Sequence, residues 1–281
     1  MALIALYVRQ RAERERIAEL LEQRHTVAGS PSWSGFERLV KERPVTVGVV
    51  DLHGLGPRGR AVSRLLRLRT RFPGLGTVVL VRHTRDPVSL FRLGAAKVRN
   101  VVLLESRGRS PTLLRGVERA LRRGAASRVI RAVSPHLPRT ELEAVGLALD
   151  GIHHRWSAED FAEQVGLSRP FLSERFKECG LPSVGHFLIW TRLFHAGHWL
   201  TDPGRTAESV SRQLEYSSGA AFRRALRGRT GATPTELIEA GGVRVVLRHF
   251  LARCRFREWS DDEVALVAGE EGGGVRDLGG A

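Results

Sequence analysis

Residues 157–177 read SAEDFAEQVGLSRPFLSERFK, and residues 206–226 read TAESVSRQLEYSSGAAFRRAL. Each stretch is two short amphipathic segments joined by a turn, and the second is a diverged repeat of the first. In the first copy Phe161, Ala162, Val165, Leu167, Leu172 and Phe176 fall on one side, which leaves Arg169, Ser173, Glu174 and Lys177 outside. One such hairpin is an ordinary way to fill a core. Two in one chain point to helices held so that their polar faces reach into something.

The flanking residues supply start and stop signals for these helices. Thr140 and Glu143 have capping-box spacing, and Leu142, Val145, Leu149 and Ile152 predict a helix reaching about His154. Ser157 with Asp160 begins the next helix, and Ser168 caps the presented one, with Pro170 in its first turn. A longer helix over 186–200 carries Phe187, Trp190, Leu193, Phe194 and Gly197, and ends at Thr201-Asp202-Pro203-Gly204. Thr206 then starts a helix through Leu214, and 215–218 form a turn. The helix over 219–228 turns Phe222, Ala225 and Leu226 inward and Arg223, Arg224 and Arg227 outward.

Residues 140–240, with both repeats, the connecting helix with Arg192 and Ala196, and the closing Gly231-Ala232-Thr233-Pro234, resemble the DNA-binding domain of the AraC family of transcription regulators. The resemblance implies two recognition helices in adjacent major-groove segments of double-stranded DNA. The first would present Arg169, Pro170, Ser173, Glu174 and Lys177; the second would present Ser218, Gly219, Ala220, Arg223, Arg224 and Arg227. Two departures stand out. Glu215 replaces the family's glycine before the aromatic Tyr216, and Leu226 replaces its phenylalanine, so a weakened or shifted second unit is expected.

The first part of the chain alternates apolar runs with helical segments. Strands are predicted over 3–8, 26–28, 45–50, 76–81 and 98–104, and helices over 11–22, 34–42, 60–72, 87–94 and 111–122. Five strand-helix units predict a doubly wound parallel sheet, with ligands beyond the carboxyl ends of the strands. Val49-Val50-Asp51-Leu52 followed by Pro57 and Gly59, then Arg71 to Leu75, then Leu93-Gly94-Ala95-Ala96, resemble a receiver domain. That resemblance makes Asp51 the candidate phosphoacceptor. However, Arg9 and Gln10 stand where paired acids are expected, Arg82 or His83 takes the hydroxyl position unless Thr84 substitutes, and no clear lysine follows Leu104. One carboxylate is a poor magnesium site. Arg9 is expected to neutralise Asp51 directly.

Other chemistry is weakly signalled. Gly54 to Gly59 lacks the spacing and lysine of a phosphate loop, so turn formation accounts for its glycines. His153-His154 and His195 with His198 raise a metal reading, but neither pair has a convincing third ligand. No catalytic residue, metal or cofactor is therefore expected. The net charge of +15 is concentrated early: residues 1–150 hold 28 Arg or Lys against 13 Asp or Glu, whereas 157–240 hold ten of each. DNA binding by the second part must rest on where side chains point. Cys179 and Cys254 imply no disulfide framework, and no apolar run approaches the roughly 20 residues of a membrane span, so a cytoplasmic protein fits.

The expected architecture is an α/β receiver-like doubly wound parallel sheet followed by an all-α double helix-turn-helix domain. Its parts are a receiver-like domain over 1–124, a linker over 125–139, the DNA-binding domain over 140–240 and an extension over 241–281. Within the extension, residues 243–256 suit a packing helix, a strand pair or a partner surface, and the acidic, glycine-rich end is expected to be flexible. The leading function is a sequence-specific regulator of transcription. The alternatives are an architectural DNA-binding protein of low specificity and an active response regulator phosphorylated at Asp51. Further partner expectations are a homodimer through the first domain and a contact with RNA polymerase.

Overall fold

A computed structural model of the chain describes residues 2–56, 58–82, 87–104, 111–122 and 124–256. Pro57, His83, Thr84, the position sought after Leu104 and the acidic end of the extension lie outside these residues. Among the described residues no helix is long and apolar enough to cross a membrane.

The first part alternates as its apolar runs predict: β1 Leu3–Tyr7, α1 Arg11–Glu22, β2 Thr26–Ser30, α2 Trp33–Glu42, β3 Val47–Asp51, α3 Arg58–Arg71, β4 Gly76–Arg82, α4 Pro87–Ala95, β5 Val101–Leu104 and α5 Pro111–Leu121. The strands form one parallel sheet in the order β2-β1-β3-β4-β5. Alternate strand residues serve opposite faces. Leu3, Ala5, Val50 and Val79 pack with Phe36 and Val40 of α2, Leu65 and Leu68 of α3 and Leu93 of α4. Ile4, Leu6, Val49 and Val78 pack with Ile17 and Leu21 of α1 and Val117 of α5. Both faces being covered explains why the strands read as unbroken apolar runs. The last strand is shorter than expected because Lys97 takes a left-handed φ of 52° and turns the chain before it.

The segment expected as a linker is largely helical. α6 Ala125–Val133 buries Ala125, Ala126, Val129, Ala132 and Val133 in the second core, and only the short stretch around Pro135 and Pro138 interrupts regular structure. α7 Arg139–Asp150, α8 Ala158–Val165, α9 Arg169–Glu178, α10 Val184–Trp199, α11 Ala207–Gln213, α12 Gly219–Thr230, α13 Pro234–Glu239 and α14 Val243–Leu251 follow. The expected Thr140 capping box does not form. Pro138 is the residue preceding α7, and the Thr140 hydroxyl donates to Glu141 at 2.6 Å instead.

Of the three readings of 243–256, a packing helix is the one realised. Phe250 of α14 is fully buried, with ring centroids 6.0, 5.6 and 5.2 Å from Phe187, Trp190 and Phe194 of α10. A side chain of that size contributes about 1.5–3 kcal/mol when fully buried. Gly197 permits the approach, since a Cβ there would lie 2.9 Å from the Val243 backbone.

Two turns lock the two parts together. The Gly204 amide donates to the Arg71 carbonyl at 2.8 Å, and the Gly74 amide donates to Asp202 Oδ1 at 2.6 Å. His198 Nε2 donates to the Gly74 carbonyl at 2.9 Å. Asp202 Oδ2 accepts from Arg205 Nε at 3.1 Å, and both side chains are fully buried. The Arg205 guanidinium lies between the rings of Phe72 and Trp199, 5.5 and 5.0 Å from their centroids. Burial pushes His198 below its ordinary value and Asp202 above its own, the latter despite the adjacent cation. Gln213, at the end of α11, donates to the Lys41 carbonyl in α2. The joint therefore sits at the amino-terminal ends of the strands, opposite Asp51.

Candidate nucleic-acid interface

In the first unit every local signal acts as its chemistry predicts. Ser157 and Asp160 form a reciprocal capping box at the start of α8, and Gly166 ends that helix with a left-handed φ of 79°. The Ser168 hydroxyl accepts from the Phe171 amide, capping α9, and Pro170 sits where no intrahelical donor is needed. Phe161, Leu172 and Phe176 are buried, while Arg169, Pro170, Glu174 and Lys177 are exposed and Ser173 is half-buried. The charges on this face are mostly paired with each other: Arg169 with Glu159 at 2.6 Å, and Lys177 with Glu174 at 3.3 Å.

Two residues of α9 play parts that sequence reasoning missed. Phe171 is 52% exposed, because the inward stripe of this helix runs through Leu172 and Phe176. Arg175 reaches back to Glu141 of α7 at 2.5 Å and so fixes the pitch of α9. Burial opposes the charge of Glu141, but hydrogen bonds from Thr140 and Arg175 outweigh it and hold its carboxyl below the usual range. The i, i+4 spacing of Leu172 and Phe176 was the available signal for the first; nothing local marks the second.

The second unit repeats this plan with different means. Thr206 and Ser209 form a capping box at α11, and the Ser218 hydroxyl accepts from the Ala221 amide at 3.0 Å to cap α12. Phe222 and Leu226 are fully buried, so the leucine fills its place in the core. Glu215 does adopt the strained left-handed conformation, with φ 59°, and its carboxylate pairs with Arg155, itself at φ 63°. Ser218 and Ala220 are exposed. Gly219, expected on the presented face, is buried: a Cβ there would lie 2.3 Å from the Glu208 carboxylate, which covers the start of α12. Arg223, Arg224 and Arg227 are exposed, and among the described residues none of them forms an ion pair.

Asp51 ends β3 at the carboxyl edge of the sheet, as expected. It is 3% exposed, and its Oδ1 accepts from the His53 amide at 3.1 Å. The expected pairing with Arg9 is absent among the described residues: Arg9 is exposed, with its stem over Gly54, to whose carbonyl the Tyr7 hydroxyl donates at 2.5 Å. The histidines act as structural donors and stacked rings. His153 meets the Thr26 hydroxyl at 2.8 Å, His195 the Leu149 carbonyl at 2.9 Å, and His154 stacks on Trp156. Among the described residues no group of three His, Cys, Asp or Glu side chains is placed to hold a metal ion.

Residues 161–240 match the family of helix-turn-helix domains. No curated protein matches the chain. Among solved structures, RcsB from Salmonella enterica serovar Typhimurium bound to promoter rprA is 18% identical, covering 66% of this chain and 98% of that one with a TM-score of 0.37. Full-length FixJ from B. japonicum is 16% identical, covering 69% of this chain and 97% of that one with a TM-score of 0.35. Overlaps at that level are partial, and the fold of the first part stands on its own strand order, which is that of receiver-type sheets. The chain thus carries an AraC-type helix-turn-helix domain at residues 161–240, joined to a receiver-like α/β domain.

Proposed function

We propose that this chain is a sequence-specific regulator of transcription that inserts α9 and α12 into the major groove of duplex DNA and acts without phosphorylation of Asp51. The observation that carries the reading is the matched pair of short, capped helices, each anchored by two buried apolar side chains (Leu172 and Phe176, Phe222 and Leu226) in one shared core and open on its outer face. A helix capped by its neighbour's turn is held rigidly enough to place side chains against base edges.

The two helices divide the work. On α9 the pairing of Arg169 with Glu159 of α8 and of Lys177 with Glu174 leaves little net attraction for phosphate, so Arg169, Ser173, Glu174, Lys177 and the exposed Phe171 ring serve discrimination, the ring against a thymine methyl. On α12 Arg223, Arg224 and Arg227 supply affinity through the backbone. Arg9 and Gln10, in place of an acidic pair beside Asp51, argue against an acyl phosphate there.

The test is recovery of bound genomic DNA followed by competition between the recovered site and a scrambled duplex at one salt concentration. Arg169→Ala with Ser173→Ala should erode the preference for the recovered site. Arg223→Ala with Arg227→Ala should weaken both duplexes and lower the slope of log affinity against log salt by about 2, near 0.9 per lost phosphate contact. Equal affinity of the wild type for every duplex would sink specific regulation.

A further inference from the structure

Helix α3 carries Arg60, Arg64, Arg67 and Arg71 at spacings of four, three and four, which places them in a single stripe along one face. All four are exposed. The stripe is roughly 16 Å long at 1.5 Å per residue, about half a turn of B-DNA.

This is not a general arginine bias of the chain. Residues 52–104 hold 11 Arg or Lys and one Asp or Glu, a net +10; subtracting from the totals of 45 and 30 leaves 34 and 29, or +5, for all the rest. Composition bias would have spread the excess instead of stripping one segment of acids. Nor does folding explain it. Like charges at i, i+3 and i, i+4 destabilise a helix, and a cation in the first turn opposes the helix dipole. The first turn of α3 contains no acid to offset Arg60. Two of the four have partners inside the domain: Arg64 donates to the Leu55 carbonyl at 3.0 Å, and the Arg71 guanidinium lies 5.4 Å from the centroid of the Phe72 ring.

The joint between the two parts fixes where one end of the stripe lies. Its last residue, Arg71, accepts at its carbonyl the amide of Gly204, two residues before the Thr206 cap of α11. The second helix-turn-helix unit rests on the carboxyl ends of α2 and α3 through Lys41 and Arg71. The stripe therefore begins at the seat of the unit whose recognition helix carries Arg223, Arg224 and Arg227. We infer that α3 is a second DNA contact, tracking the phosphate backbone beside the major-groove segment entered by α12, so that the receiver-like domain is an electrostatic clamp on the duplex. The inference rests on the DNA-binding reading above and adds a surface outside the helix-turn-helix domain.

The test uses the full chain with a duplex of about four helical turns (~40 base pairs), in recovered-site and scrambled versions, over a salt series. Arg60→Gln with Arg67→Gln should weaken both duplexes by the same factor and reduce the salt slope by about 1.8; adding Arg64→Gln should bring the reduction to about 2.7. Discrimination between the duplexes should not change. The double variant retains the Arg64 bond, and its melting temperature should equal or exceed that of the wild type, because like-charge repulsion has been removed. An unchanged slope in a folded double variant overturns the clamp, and so does a loss confined to the recovered site. If Arg169→Ala and Arg223→Ala change nothing while the α3 variants flatten the slope, the groove-reading assignment fails and the clamp stands.

Discussion

Removing Asp202 should unlock the two parts of the molecule. Its carboxylate accepts the Gly74 amide from across the joint at 2.6 Å and the Arg205 Nε at 3.1 Å, with neither ionised side chain exposed. In Asp202→Ala the guanidinium keeps only Gln213 Oε1 as an acceptor, and its Nη2 already lacks a partner. Leaving a buried charge without its counter-ion costs about 3–5 kcal/mol, and the orphaned Gly74 amide lies within that figure because both losses follow from one side chain. Against a domain stability of about 5–15 kcal/mol, the two parts should then unfold in separate steps. Asp202→Asn keeps an acceptor for Gly74 and removes only the charge. Adding Arg205→Met to Asp202→Ala places an apolar chain between Phe72 and Trp199 and should recover about 1.5 kcal/mol or more. Urea unfolding of the wild type, these three variants and Arg205→Met alone at pH 7.5, followed by tryptophan fluorescence and by far-ultraviolet dichroism, gives each number. Additive losses in the double variant, or a loss below about 1 kcal/mol for Asp202→Ala, would show that the pair is neither coupled nor desolvated.

Four further outcomes are expected. Burial pushes His195 from 6.5 down to about 4, so the unfolded chain takes up the proton first; stability is full above pH 6.5 and falls as pH drops toward 4. At pH 5 this histidine should cost about 2 kcal/mol, and His195→Gln should flatten that part of a urea-midpoint profile. Glu215→Gly should be more stable than Glu215→Ala by about 1 kcal/mol, because both lose the Arg155 pair and only alanine keeps the left-handed strain; equal melting temperatures would remove the strain argument. Ser157→Ala should cost about 1 kcal/mol through loss of the α8 cap, read by thermal melting. Asp51→Asn should leave DNA affinity unchanged, and a small phosphodonor with magnesium should leave no acyl phosphate on the wild type by intact mass.

What was legible in the sequence was whatever neighbours along the chain decide. The bounds of α1, the caps at Ser157, Ser168 and Thr206, and the inward Leu172 and Phe222 all follow from periodicity and turn chemistry. The failures occur where a distant partner competes for a local signal. Thr140 had the spacing of a cap but is taken by Glu141, which Arg175 holds from another helix. Gly219 looked like a presented position until the Glu208 carboxylate came to lie over it. The joint was invisible for the same reason: Gly74 and Asp202 are 128 positions apart, and each on its own reads as a turn former.

The placement of that joint limits what the first domain can do to the second. β3 runs from the joint end to Asp51, and its residues are buried without exception. A strand packed on both faces moves as a body or not at all, since dense interiors do not deform gradually. A change at Asp51 would have to displace the whole sheet to disturb Gly74, whereas a change at Asp202, His198 or Gln213 acts on the joint directly. The buried ion pair and paired backbone bonds favour one fixed arrangement, and a fixed arrangement is what a clamp needs: the α3 stripe contributes to binding only if its distance from α12 is set before DNA arrives, because an arm on a loose hinge would lose to ordering entropy much of what its phosphate contacts supply.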